Sequence, residues 1–93
     1  MSLRRIRRAA REERYEFTQH AVEEMDEDDL TDAEVREVLL RGHVIRELSD
    51  DARGERFVLR GRPRGREQAE VEVVCRFLCS ERLRIITVYA MRE

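Results

Sequence analysis

The chain has 93 residues, with no lysine, two cysteines and no long apolar run. No segment approaches the roughly 20 apolar residues that a membrane-spanning helix needs, and the arginine-rich start lacks the apolar core of a signal peptide behind it. We therefore expect a soluble, cytoplasmic protein. The length excludes two domains and allows one, near the lower limit for a core built without disulfides or metal.

The two cysteines are Cys75 and Cys79. Both fall in a segment whose alternation predicts a strand, where four steps would place them about 13 Å apart on one face. A disulfide needs Cα atoms within about 7 Å, which excludes a bond between them. We predict two buried, reduced thiols. Together with His20 and His43 they would be numerous enough for a zinc site, but their spacing does not fit one, and we expect no metal or other cofactor.

Because lysine is absent, all 19 basic residues are arginine. A G+C-rich genome produces such a bias without any function, but arginine also binds phosphate and carboxylate groups bidentately. Residues 1–14 hold six Arg and two Glu, residues 15–34 hold nine acidic residues and no Arg, and residues 53–66 hold six Arg and one Glu. Such a chain can meet an anionic polymer on one side and a basic partner on the other.

The sequence of the N-terminal third predicts an arm, a short strand and a helix. Residues 1–13 contain few apolar side chains, so we expect a flexible basic arm there, followed by one domain over residues 14–93. Alternation over residues 14–18 predicts the strand. Thr18 then caps a helix that runs to about Met25. We interpret the acidic cluster over residues 23–29 as solvated, with docking of a partner protein as the alternative.

The next helix has the clearest local signals. Thr31 and Glu34 fit a capping box, and Gly42 is expected to end the helix in the left-handed conformation. Beyond Gly42 the apolar period changes from helical to alternating. The alternation predicts strands over residues 44–48, 56–60, 70–79 and 83–89, with a tight turn at residues 80–81.

This order of elements predicts an α+β fold. Two N-terminal helices should pack on one face of a four-stranded, mostly antiparallel sheet, to which the short N-terminal strand can add. The chain is 43% charged against 41% hydrophobic, so an interface shared between chains would help to stabilise it. We therefore expect a homodimer or other homo-oligomer, or a tight complex with a different partner.

Four segments carry a resemblance to a known family: Phe17-Thr18-Gln19-His20-Ala21, Gly42-His43-Val44-Ile45, Glu72-Val73-Val74 and Ile85-Ile86-Thr87-Val88-Tyr89. Over about residues 15–91 the chain resembles the bacterial and archaeal family called domain of unknown function 4258. That family usually has an arginine where this chain has Glu24, and an Arg-Gly pair where it has Asp28-Asp29. Both departures remove positive charge near His20.

The family is similar, in its order of elements, to the RelE-like and BrnT-like toxins. This second resemblance implies a RelE-like fold and a small toxin that cuts messenger RNA and is neutralised by an antitoxin. We therefore expect a type II toxin acting as a metal-independent ribonuclease. RNA cleavage through the 2′-hydroxyl needs a base, an acid and cations for the phosphate.

The residues that fit this chemistry lie near the two ends of the chain. Each also has a structural alternative: a histidine that tethers a helix, arginines paired with nearby acids, a tyrosine packed in the core. The candidate catalytic residues are His20, Arg84 and Tyr89, and the candidate phosphate-binding residues are Arg60, Arg76 and Arg82.

The sequence also fits a second function. The arginine-rich arm and the cationic loop over residues 61–65 also suit a non-enzymatic module that binds protein or nucleic acid. Such a module would have the fold without the chemistry.

Overall fold

The computed structural model describes residues 2–49, 54–65 and 69–92. The elements are α1 (Ser2–Arg11), β1 (Tyr15–Phe17), α2 (Gln19–Glu27), α3 (Asp32–Arg41), β2 (His43–Leu48), β3 (Arg56–Gly61), β4 (Ala69–Phe77) and β5 (Leu83–Arg92). The strands form one sheet in the order β1-β5-β4-β3-β2. The α+β class is confirmed, but the described residues form three helices and five strands instead of two and four. The fifth strand is the short N-terminal one, and it makes the sheet mixed because β1 runs parallel to β5.

The core lies on one side of the sheet. Alternation along β4 directs Val71, Val73 and Cys75 to this side, where all three are fully buried. Apolar residues of α1, α2 and α3 complete the same cluster. We call the opposite side the open face, since no helix of the described residues packs on it. Within those residues, no helix is long and apolar enough to cross a membrane.

The prediction of a flexible arm over residues 1–13 is wrong for most of that segment, because Ser2–Arg11 forms the helix α1. Ile6, Ala9 and Ala10 are buried and belong to the core cluster. Their spacing of three and four residues puts them on one helical face. The low apolar content of the segment concealed this face, because three small or medium side chains are enough to anchor a ten-residue helix.

The caps of α2 and α3 are confirmed. Thr18 Oγ1 accepts a hydrogen bond from Ala21 N at 3.1 Å, and Thr31 and Glu34 form the complete capping box. Gly42 does end α3, but its backbone is extended (φ −74°, ψ −178°), so the left-handed stop was wrong. Close packing requires a glycine at this position, because a Cβ atom there would lie 2.6 Å from the Val38 carbonyl oxygen.

The connection between β4 and β5 is longer than the tight turn expected at residues 80–81. β4 ends at Phe77, and Leu78 N donates to the Arg82 carbonyl oxygen at 2.8 Å to close the loop. Cys79 is therefore in a loop and exposed, contrary to the prediction, whereas Cys75 is buried. Both thiols are free. Burial raises the pKa of Cys75 to about 12, which makes it an inert core residue.

The outer edge of β5 is covered first by a strand and then by a helix. β1 pairs with Leu83 to Ile85, and beyond them Val88 N donates to Glu24 Oε1 and Ala90 N to Asp28 Oδ2, both at 2.9 Å. Glu24 and Asp28 are four residues apart, a helical rise of about 6 Å, and Val88 and Ala90 are about 6.6 Å apart along the strand. The two carboxylates therefore match the spacing of the two amides. The solvated interpretation of the acidic cluster is thus wrong for Glu24 and Asp28.

Candidate functional site

Strand pairing arranges the side chains of the open face in rows that cross the sheet. One row contains Glu16, Arg84 and Arg76, which pair in register, and Arg56 lies next to Arg76 because the following residue, Phe57, pairs with Cys75. We call Arg56, Arg76 and Arg84 the arginine row. A second row contains Thr87, Val74, Val58 and Arg46, and a third contains Tyr89, Glu72, Arg60 and His43.

The arginine row places like charges on adjacent strands. Arg76 and Arg84 are directly opposite each other, and the row spans three strands, or about 10 Å. Three guanidinium groups on adjacent strands concentrate positive charge on this part of the open face, which attracts anions. All three side chains are partly exposed, which leaves them accessible from solvent.

One carboxylate, Glu16, is shared by two arginines at the β1 end of the row. Arg84 Nη2 lies 3.0 Å from Glu16 Oε2, and Arg82 Nε lies 3.3 Å from Glu16 Oε1. The hydrogen bond from Arg84, reinforced by the one from Arg82, lowers the pKa of Glu16. A single negative charge therefore serves two guanidinium groups, and this corner of the open face keeps a positive excess.

The third row is centred on Glu72, which is only 5% exposed although it lies on the open face. The Tyr89 hydroxyl donates to Glu72 Oε1, and Arg60 Nε donates to Glu72 Oε2 at 2.9 Å. We call Arg60, Glu72 and Tyr89 the Glu72 cluster. Burial opposes ionisation of Glu72, but the hydrogen bonds from Tyr89 and Arg60 outweigh it and lower its pKa. The hydrogen bond to Glu72, together with burial, raises the pKa of Tyr89.

These bonds determine what Tyr89 can do chemically. Its proton points at a buried carboxylate, and its raised pKa makes release of that proton harder. The same bond holds the phenol ring across β4, where an aromatic ring can serve as a stacking surface. The arrangement therefore suits binding by Tyr89 better than acid catalysis.

His20 lies in the first turn of α2, at the edge of the sheet. Its side chain is 65% exposed, and its Nε2 atom is 3.4 Å from Glu24 Oε1. Glu24 in turn accepts the hydrogen bond from the β5 backbone. Across residues 2–49, 54–65 and 69–92, no hydrogen bond or ion pair joins His20 to Arg84 or Tyr89.

The six candidate residues thus occupy three places. Arg76, Arg82 and Arg84 share one end of the open face, and Arg60 and Tyr89 meet at Glu72, four residues or about 13 Å along β4 from Arg76. His20 stands apart on α2. Arg82 and Arg84 pair with Glu16, which was not among the acids expected beside them, and Glu72 pairs with Arg60 and Tyr89. For Glu72, the only available signal was its place between Val71 and Val73, which is shared by many exposed strand residues.

No group of three or more His, Cys, Asp or Glu side chains suited to hold a metal ion occurs in the part of the chain that the structure describes. The geometry defines a small α+β protein with helices on one side of a mixed sheet and an arginine-bearing open face on the other. Residues 17–90 match the model of the family described as "Domain of unknown function (DUF4258)", and the chain belongs to this family. No curated protein and no solved structure matches it.

Proposed function

We propose that the protein binds single-stranded nucleic acid on the open face of its sheet. The observation that carries this proposal is the arginine row, in which Arg76 and Arg84 are held side by side on adjacent strands. Guanidinium groups bind phosphate oxygens bidentately and stay charged at any physiological pH.

The rest of the open face suits the bases of such a strand. Between the arginine row and Tyr89 lies the row with Val58, Val74 and Thr87, of which Val58 is buried and the other two present partly exposed apolar surface. Tyr89 then offers an aromatic ring fixed by its bond to Glu72. A positively charged track beside an aromatic platform is the usual design of proteins that bind single strands without sequence preference.

Binding is favoured over catalysis because the groups that would transfer protons are not assembled beside the phosphate-binding arginines. Tyr89 donates its hydroxyl proton to Glu72, and His20 stands apart on α2. At the arginine row, Arg84 shares the single carboxylate of Glu16 with the neighbouring Arg82, which leaves a positive excess there.

The test is fluorescence anisotropy with a labelled oligouridine and the matching DNA oligonucleotide, measured over a series of salt concentrations. We expect the logarithm of affinity to fall linearly with the logarithm of salt, by about 0.7 for each phosphate contact. Arg76→Gln and Arg84→Gln should each weaken binding several-fold and reduce that slope. Tyr89→Ala should weaken it by about 1–3 kcal/mol, whereas Tyr89→Phe retains most of the affinity.

Arg8→Gln is the matched control, because Arg8 is an exposed arginine on α1, on the helical side of the sheet. It removes the same charge and should leave the slope unchanged. An affinity that does not depend on salt, or an equal loss in Arg8→Gln and Arg84→Gln, would rule out a phosphate contact at the arginine row.

The second candidate is the metal-independent ribonuclease toxin of a toxin–antitoxin pair, with a RelE-like fold. The observation that favours it is the His20–Glu24 pair, because a carboxylate beside an exposed imidazole can orient it as a base. Inducible expression of the wild type, His20→Ala and Arg84→Ala tests this candidate. Growth arrest that is lost in both variants supports it, and arrest that persists undiminished in both contradicts the catalytic assignment. Absence of arrest, with the oligouridine intact after binding, favours the binding protein.

A further inference from the structure

The two edges of the sheet differ in the length of strand that they expose. At one edge lies the three-residue β1, and beyond it Glu24 and the α2 C-cap Asp28 cover β5. At the other, β2 (His43–Leu48) pairs with β3 on its inner side only, and no strand of residues 2–49, 54–65 or 69–92 pairs with its outer side. The six residues of this strand span about 20 Å of main chain, and its register with β3 shifts between Val44 and Arg46. Its central residue Ile45 is 41% exposed, one of the two large apolar side chains that are exposed in the described residues.

Two cavities flank this edge, one on each face of the sheet. The cavity on the helical face has a volume of about 400 Å³ and is lined by Leu3 and Val44, with Ser2, His43 and Glu47. The cavity on the open face has a volume of about 290 Å³ and is lined by Arg41, His43, Ile45, Arg60 and Arg62, with Glu70 as its one acid. One cavity thus offers the apolar side chains of Leu3 and Val44, and the other is mainly cationic.

We propose that the outer edge of β2 binds an extended segment of a partner protein in which apolar and acidic side chains alternate. An added strand would satisfy the free main-chain groups of β2, and its side chains would point alternately to the two faces. The apolar side chains would then enter the cavity beside Leu3 and Val44. The acidic side chains would enter the cavity beside Arg41 and Arg62.

The expected ligand is a peptide, because the unpaired main-chain groups on the outer side of β2 are best satisfied by another strand. Nucleic acid has no row of amide and carbonyl groups that can extend a β-ladder, so the charge of the cationic cavity alone does not explain an open strand edge. A second copy of the chain fits less well, because β2 has the sequence His-Val-Ile-Arg-Glu-Leu, with one acid and no alternation of acidic and apolar residues. The proposal does not depend on binding at the arginine row, which lies on other strands.

The experiment uses a labelled synthetic peptide of alternating valine and aspartate, titrated against the full chain and followed by amide NMR shifts. In a paired strand, the N–H groups of all aspartates point to one side and those of all valines to the other. N-methylation of one set should therefore lower affinity about tenfold or more, and N-methylation of the other set should be tolerated. The shifts should concentrate on His43–Leu48.

The variants separate charge recognition from strand pairing. Arg41→Gln combined with Arg62→Gln should weaken binding of the aspartate peptide several-fold, whereas Arg11→Gln, an exposed arginine at the far end of α1, should not. A valine–lysine peptide should bind at least about tenfold more weakly. Equal effects of the two N-methylated sets, equal binding of the lysine peptide, or a dimer whose own contact covers β2 and excludes the peptide would each overturn the proposal.

Discussion

Glu72 shows how one side chain can organise a surface that its own sequence position does not reveal. It lies on the face of the sheet that no described helix covers, yet it is almost completely buried, because Tyr89 and Arg60 close over it. The same hydrogen bonds stabilise its ionised form and lower its pKa below the usual 4.5. A carboxyl group with a lowered pKa contributes stability at neutral pH and loses that contribution in acid.

Glu72→Gln should therefore destabilise the protein at pH 7 by roughly 1–3 kcal/mol, because it weakens a buried, charge-assisted network. The contribution of Glu72 is fully present above its unfolded pKa of about 4.5 and is lost as the pH falls through the lowered folded value. Urea unfolding of the wild type and the variant, at pH 7 and again well below pH 4.5, measures this difference.

Glu70→Gln is the control, since Glu70 is on the same strand and face but is more exposed than Glu72 and makes only longer ion pairs, with Arg62 at 3.5 Å and with Arg60 at 3.9 Å. It should cost much less at pH 7. A Glu72→Gln penalty of the same size at both pH values would contradict an ionised Glu72 in the native state.

Among the elements, α2 has the most unexpected role. Its acidic residues suggested a solvated surface or a docking site, but Glu24 and Asp28 act as acceptors for the outer edge of β5. An uncovered strand edge is prone to pairing with other chains, and natural proteins cover or charge such edges. The local signals predicted the helix and its Thr18 cap correctly. They did not predict the role of its acids, which depends on a strand more than sixty residues away.

Removing either acceptor should free one amide of β5. We expect Glu24→Ala and Asp28→Ala each to destabilise the fold by about 1.5–3 kcal/mol, because each loses a hydrogen bond to a charged group. Hydrogen exchange followed by NMR should become faster at Val88 in the first variant and at Ala90 in the second. Glu23→Ala is the control on the exposed side of α2 and should change neither rate. Unchanged exchange at Val88 in Glu24→Ala would refute the capping role.

At the scale of the whole molecule, the helices all lie on one side of the sheet. α1 packs against α3 and contributes Ile6, Ala9 and Ala10 to the core cluster of the described residues. A small domain buries a limited fraction of its surface, so each of these contacts matters for its stability. Concentrating the apolar residues on one face leaves the other face for arginines, and this division produces the candidate binding surface.

Because α1 is part of the core, Ile6→Ala should destabilise the whole protein by about 2–5 kcal/mol in a single cooperative unfolding transition. Urea denaturation monitored by circular dichroism measures this change. Arg4→Ala, at an exposed position of the same helix, should shift the midpoint by much less. A urea midpoint that Ile6→Ala leaves unchanged would contradict a core role for α1 and support a flexible arm.

Local signals were sufficient to predict the α+β class, the capping box of α3, the edge strand before Thr18 and most strand positions, because caps and side-chain periods depend on neighbouring residues. They could not predict that Ile6 anchors a helix or that Gly42 is needed for close packing. They also could not show that Glu16, Glu24 and Glu72 pair with residues of β5. Each of these facts is a contact between segments far apart in the chain, which comes into existence only when the sheet brings those segments together. Arg76 and Arg84 could therefore be named from the sequence as candidates, but only the folded sheet puts them side by side, adds Arg56 to their row and leaves His20 at its edge.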